Sequence, residues 1–214
     1  MPACRILQYA RPVNNDSNQQ TIQSYEAHVR EFIDGTPHDV SGTLKDWIDE
    51  AISGLPEDAD VLEFGSASGR DAAYLLNLGY KVECSDAAQS FVDLLKQRGF
   101  NTRKLNAITD ELGPRRYDLV LANAVLLHFT RDEAESVLTK VYAALKDNGR
   151  FAFTLKQGDG EKWTDDKLGA PRYFCFWRAD QVRQLVQDAG FTDVKIKGDI
   201  PSSNATWLQI VAIK

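Results

Sequence analysis

Cysteine and histidine are both scarce in this chain of 214 residues, at three each, and their placement excludes more than their number does. Cys4, Cys84 and Cys175 lie far apart and cannot all pair, which fits neither a disulfide framework nor a zinc site and points to a reducing compartment. His28, His38 and His128 have no paired ligand spacing, so no metal is expected. Long apolar runs are missing too: nothing approaches the length of a membrane span, and the first residues have no apolar signal core. Nor is positive charge in excess. A net charge of −6 supplies no global basic field to capture nucleic acid or an anionic membrane. These absences describe a cytoplasmic protein with no membrane partner and little to offer nucleic acid.

What is present is a 43% hydrophobic chain long enough for one well-buried domain. Residues 1–20, rich in Asn, Gln and Pro, lack periodicity and read as a loose leader before a single domain over 21–214. Within it, "TIQSYEAHVREFID" and "TLKDWIDEAISG" carry apolar residues at helical spacing, giving an N-terminal helical cover over 21–58. From 59 to 214 short strands alternate with helices: strand 60–64, helix 70–78, strand 80–85, helix 87–98, strand 100–105, then "YDLVLA" and "RDEAESVLTKVYAALK". That rhythm predicts an α/β fold, a mostly parallel sheet with helices on both faces. Thr130 and Glu133 have capping-box spacing. "TDVKIKG" and "ATWLQIVAIK" follow the last helix with no helix between them, so they are expected to pair as an antiparallel hairpin.

The chemistry concentrates at "LEFGSASGRDA", residues 62–72, where two glycines stand at a strand-to-helix turn. Such a turn presents backbone N–H groups and the positive end of a helix to a ligand, and glycine permits close approach. A tight loop that binds nothing is the other reading of these residues.

The chain resembles the small, single-domain class I S-adenosylmethionine-dependent methyltransferases over about residues 20–214. "VLEFGSASG" is similar to the family's first motif, an acid at a strand end followed by three alternating glycines, with Ala67 in place of the middle one. The resemblance implies a Rossmann-like seven-stranded sheet and S-adenosyl-L-methionine as cofactor. It implies that Glu63, Gly65, Ser66, Ala67, Gly69 and Arg70 meet the cofactor's amino-acid end, and that Asp86, with Ala87, grips its ribose. A carboxylate suits a vicinal diol because its two oxygens accept side by side. Asp86 could also cap the next helix. Asn106 and Ala107 are implied at the adenine, and Ala122 and Asn123 beneath the methionine part. His128 falls on the acceptor side, Tyr25 matches a tyrosine placed over the methyl group, and Arg172 could clamp an anionic acceptor with two parallel bonds; these three are the candidate catalytic residues. An acceptor-covering loop over about 156–177 holds Trp163, Tyr173, Phe174, Phe176 and Trp177 among Lys156, Lys162, Lys167 and Arg172. That points to a small-molecule acceptor, anionic or aromatic, although Asp159, Glu161, Asp165 and Asp166 nearly cancel the loop's charge.

Three alternatives stand beside this. A nicotinamide dehydrogenase would need glycines at relative positions one, three and six, whereas Gly65 and Gly69 stand at one and five. A catalytically weak relative that binds cofactor or a partner is suggested by Ala67. Methylation of transfer RNA or protein is opposed by the acidic balance and the absence of an added nucleic-acid module.

Overall fold

The computed structural model describes residues 16–202 and 205–214. Seven strands form one sheet in the order β3-β2-β1-β4-β5-β9-β8, and β6 and β7 make a separate two-stranded hairpin. β1 (Asp60–Glu63), β2 (Lys81–Asp86), β3 (Thr102–Lys104), β4 (Tyr117–Ala122) and β5 (Leu145–Lys156) run parallel. β8 (Asp193–Pro201) and β9 (Thr206–Ile213) form the antiparallel hairpin, and β9 pairs antiparallel with β5. This is the expected Rossmann-like α/β fold.

Both faces of the sheet are buried, which is why its central strands read as continuous apolar runs. On one face Trp47, Ile48 and Ala51 of α3 (Gly42–Ile52) and Leu75 of α4 (Arg70–Asn77) pack on Val61, Val82 and Leu119, with Leu95 of α5 (Gln89–Gln97). On the other, Val137, Leu138 and Val141 of α6 (Arg131–Ala144) and Val182 and Val186 of α7 (Ala179–Asp188) pack on Leu62, Val120, Phe151 and Phe153. The expected capping box forms, with Glu133 N–H donating to Thr130 Oγ1 at 3.3 Å and Thr130 N–H to Glu133 Oε2 at 2.8 Å.

Three segments differ from expectation. Residues 16–20, assigned to a leader, are the opening of α1 (Asp16–Ala27), while 1–15 lie outside the described residues. The buried positions of α1 are Asn18, Thr21 and Ser24. They recur at helical spacing but are polar, so they bury by hydrogen bonding, and residues 16–20 add no apolar periodicity to detect. The first cover helix is also split at His28 into α1 and α2 (Val29–Asp34). The His28 ring Nδ1 bonds to the Ser24 carbonyl at 2.9 Å, the group a continuing helix would give to the His28 N–H, and that N–H turns to Tyr25 O instead. Finally, the long acceptor loop contains the hairpin β6 (Glu161–Thr164) and β7 (Arg172–Cys175).

Candidate functional site

The carboxyl ends of β1, β2 and β4 open into a cavity of about 930 Å³, near the upper limit for ligand pockets. It lies where strand order reverses from β1 to β4, the position at which open α/β sheets bind ligands. Its floor is the turn after β1. Gly65 has φ +61°, and a Cβ there would meet Val125 Cγ2 at 2.6 Å. Ser66 pins the turn to β2: its N–H donates to Ser85 O at 2.8 Å and its Oγ accepts from Ser85 N–H at 3.1 Å. Ala67, in the place of the middle glycine, takes φ +47°, so the left-handed turn is kept at some steric cost.

Two carboxylates face the cavity from strand ends. Glu63 is 3% exposed, and its Oε2 has no hydrogen-bond partner. Burial, then the neighbouring Asp71, push its pKa up to about 8. An orphaned buried acceptor of this kind awaits a donor, preferably a cationic one. Asp86 accepts from Ala67 N–H through Oδ2 at 3.0 Å and from Ala88 N–H through Oδ1 at 2.9 Å. Each oxygen keeps a lone pair, so two hydroxyls fit beside these bonds. Burial raises the Asp86 pKa to about 6. Asp86 also supports the turn it faces, but it does not cap α5, whose N-cap is Ala88 with no side-chain cap bond.

Between these carboxylates and β4 lies a polar chain that joins the expected Arg70 and Asn123 through two residues the sequence did not point to, Asp71 and Thr154. Arg70 Nε donates to Asp71 Oδ1 at 2.6 Å, Asn123 Nδ2 to Asp71 Oδ2 at 2.8 Å, and Thr154 Oγ1 to Asn123 Oδ1 at 3.1 Å. Asn123 is thereby fixed at the cavity wall. Asp71 sits in the first turn of α4 and Thr154 in β5, positions whose only sequence signal is proximity to the glycine turn and to a strand end.

A second directed chain closes the opposite wall. His128 Nδ1 lies 2.6 Å from the Tyr173 carbonyl, which can only accept, so Nδ1 carries the proton and Nε2 is left to accept from Tyr25 OH at 2.9 Å. Tyr25 oxygen in turn accepts from Arg172 Nη1 at 3.2 Å. Burial pulls the His128 pKa down to about 3, and burial raises that of Tyr25. The titration range near neutrality that suits histidine to act as a base is therefore lost here. α1 brings Tyr25 to this wall through Ser24 Oγ, which donates to Pro171 O at 2.6 Å, and Thr21 Oγ1, which accepts from Tyr173 N–H at 3.1 Å.

Thirteen of the fifteen expected site residues line this one cavity: Tyr25, Glu63, Gly65, Ser66, Ala67, Arg70, Asp86, Ala87, Asn106, Ala107, Asn123, His128 and Arg172. Gly69 and Ala122 do not. Gly69, at φ +83°, lies against Phe100 and against Leu95 of α5, which a Cβ would meet at 2.8 and 3.0 Å, so its part is to let α4 start close to α5 and the turn after it. Ala122 is fully buried within β4. Asn106 is a turn residue as well as a lining one: its Oδ1 accepts from Ile108 N–H at 3.1 Å and its Nδ2 donates to Asn18 at 2.8 Å. Of the loop aromatics only Phe174 lines the cavity, and of its basic residues Lys156, Lys167 and Arg172 do. Tyr173 and Trp177 are buried elsewhere and Trp163 is exposed.

A reversed α/β sheet with a strand-end acid, a bare turn and a second strand-end carboxylate around one cavity has the layout in which open α/β sheets bind ligands. A family described as "Methyltransferase domain" matches residues 37–196. The chain belongs to that family, and with it to the class I S-adenosylmethionine-dependent methyltransferases. No curated protein matches the sequence. Among solved structures, a 1,6-didemethyltoxoflavin-N1-methyltransferase from Burkholderia thailandensis, with bound 1,6-didemethyltoxoflavin and S-adenosylhomocysteine, is 22% identical with a TM-score of 0.64, covering 94% of this chain and 84% of its own. A Leishmania major S-adenosylmethionine-dependent methyltransferase is 17% identical (TM-score 0.69, 92% and 82% covered). Phosphoethanolamine N-methyltransferase 2 of Haemonchus contortus, in complex with S-adenosyl-L-methionine, is 13% identical (TM-score 0.67, 90% and 56% covered).

Proposed function

We propose that this methyltransferase acts on an oxygen or nitrogen atom, with carbon the less favoured choice, of a small-molecule acceptor in the cytoplasm. The observation that carries the proposal is that one cavity holds both the Glu63 and Asp86 carboxylates and the Arg172–Tyr25–His128 chain. The first set suits S-adenosyl-L-methionine: the orphaned Glu63 oxygen and the turn at Gly65–Ala67 hold the amino-acid end, Asp86 with Ala87 the ribose, and Asn106, Ala107 and Leu105 flank the adenine. Arg70 meets the cofactor only together with Asp71, to which it is paired. When bound, the cofactor supplies an electrophilic sulfonium methyl group.

The protein's own work is alignment and exclusion of water. Orientation of reactants contributes on the order of 7–11 kcal/mol, more than a single base supplies. Tyr25 and His128 are fixed by hydrogen bonds at both ends of their chain, so they shape the acceptor wall. A proton leaving the acceptor can pass to Tyr25 oxygen as Tyr25 gives its own to His128 Nε2. The His128 Nε2 accepts weakly, so an acceptor that arrives unprotonated fits the wall best. The names of two structural neighbours, both N-methyltransferases of small molecules, support a small acceptor.

A panel of small acids, amines and phenols assayed with methyl-labelled cofactor tests the reading. Label transfer to one of them is the expected result. Cofactor binding with no transfer to any of the panel would favour a weak cofactor-binding relative, and transfer only to transfer RNA or protein would replace the small acceptor.

A further inference from the structure

The wall that carries Tyr25 gathers cations without a matching carboxylate. Arg172 is 5% exposed; Nη1 donates to Tyr25 OH, while Nε is buried with no partner. Among the described residues it makes no ion pair. Its guanidinium carbon lies 5.2 Å from the Phe174 ring centroid, and Lys156 Nζ stands 4.2 Å from the same centroid, itself with no hydrogen-bond partner among the described residues. Two cations therefore share one aromatic ring. Lys167, on the exposed rim, tucks its ammonium 4.2 Å from the Phe32 centroid and donates to Thr36 Oγ1 at 2.7 Å.

The surrounding acids do not neutralise this group. Asp166 and Asp39 line the cavity but are exposed, so water screens them. Glu161 is exposed and does not line the cavity, and Glu63, Asp71 and Asp86 belong to the turn and its neighbours. Burial, then Arg172, pull the pKa values of both Lys156 and Lys167 down, that of Lys167 to about 8. A buried guanidinium with an idle Nε, beside a second half-buried cation, is retained at a cost unless a ligand completes it. Positioning Tyr25 accounts for one Arg172 nitrogen and leaves Nε and Lys156 unexplained.

We propose that the acceptor carries an oxyanion group, a carboxylate or a phosphate, clamped by Arg172 and Lys156 over Phe174, with Lys167 closing the rim above it. The proposal rests on the methyltransferase reading of the same cavity and deepens it. Arg172 offers Nε and a free Nη proton in the fork geometry that oxyanions accept, and Lys156 adds a point charge. The clamp fixes the acceptor's orientation, while the cofactor residues lie outside it.

Calorimetry on the protein saturated with S-adenosylhomocysteine tests the clamp with three probes: benzoate, inorganic phosphate and the neutral isostere benzamide. Either anion is expected to bind about tenfold or more tightly than benzamide. Preference for benzoate assigns a carboxylate and preference for phosphate a phosphoryl group. Lys156→Met and Arg172→Gln should each erase that preference while S-adenosylhomocysteine affinity stays within about twofold. Lys156 is half-buried, so Lys156→Met tests the clamp by itself if Arg172→Gln does not fold. Benzamide binding as well as the anions, no anion binding, or a preference that survives Lys156→Met would overturn the clamp. Failure to bind S-adenosylhomocysteine at all would instead remove the methyltransferase reading beneath it.

Discussion

Asp86 shows how one side chain can both build a site and serve it. Its two oxygens each accept one backbone N–H and keep a lone pair for a ligand hydroxyl. Asp86→Ala is expected to weaken S-adenosylhomocysteine binding by more than about 1 kcal/mol, read by calorimetry; unchanged affinity would remove Asp86 from the site. Glu63 gives a pH-dependent prediction. Its folded pKa, raised to about 8 chiefly by burial, exceeds the ordinary carboxylate value, so between those two pH values the folded protein holds a proton that the unfolded chain has released. Stability without cofactor therefore falls as pH rises through that window, by about 1.4 kcal/mol per unit at its steepest. Glu63→Gln should flatten the slope and unfold at higher temperature than the wild type at about pH 8, while losing cofactor affinity. Parallel slopes in the two proteins would show that Glu63 does not ionise with folding as described. Tyr25→Phe and His128→Ala should lower turnover more than cofactor affinity, measured as kcat beside calorimetric Kd. Because His128 stays neutral above about pH 3, no ionisation between pH 5 and 8 in the turnover profile should vanish with His128→Ala.

At the scale of elements, the turn between β1 and α4 couples sequence to site. Gly69→Ala places a Cβ at φ +83° and 2.8 Å from Phe100, so it should destabilise by about 1–3 kcal/mol in denaturant unfolding. Ala67 offers the opposite test. It already occupies φ +47°, and Ala67→Gly relieves left-handed strain of about 1 kcal/mol, offset in part by the added freedom of the unfolded chain. The expected outcome is equal or slightly greater stability with cofactor binding retained; a clear loss would mean that the Ala67 methyl packs rather than strains. Strands β1, β2 and β4 and helices α4 to α6 were legible because their apolar spacing matches their burial. α1 was only partly legible, since Asn18, Thr21 and Ser24 form its buried stripe by bonding to Asn106, Tyr173 and Pro171. The β6–β7 hairpin was not legible either: its inner strand Arg172–Cys175 is buried throughout while Glu161–Thr164 is largely exposed, so neither strand shows clean alternation.

Across the molecule, the cavity is assembled from segments remote in sequence: α1 and α2, the turns after β1, β2 and β4, and the loop around β7. Ligand binding should therefore tie these parts together. Saturation with S-adenosylhomocysteine at about a hundred times its Kd should raise unfolding free energy by about 2.7 kcal/mol, and proteolysis within α2 or the β6–β7 loop should slow. None of the helices among the described residues is long and apolar enough to cross a membrane.

Local spacing in the sequence was enough to specify the alternating strands and helices, the strand-to-helix turn at Gly65–Gly69, the acids at two strand ends and the closing hairpin, because each depends on neighbours within a few residues. The tertiary structure alone decided that Asn123 would be held by Asp71 and Thr154, that Tyr25 would join His128 and Arg172, and that His128 would stay neutral. Those outcomes depend on burial and on hydrogen bonds between residues up to 147 positions apart, and no linear pattern encodes the dielectric or the partner that folding supplies.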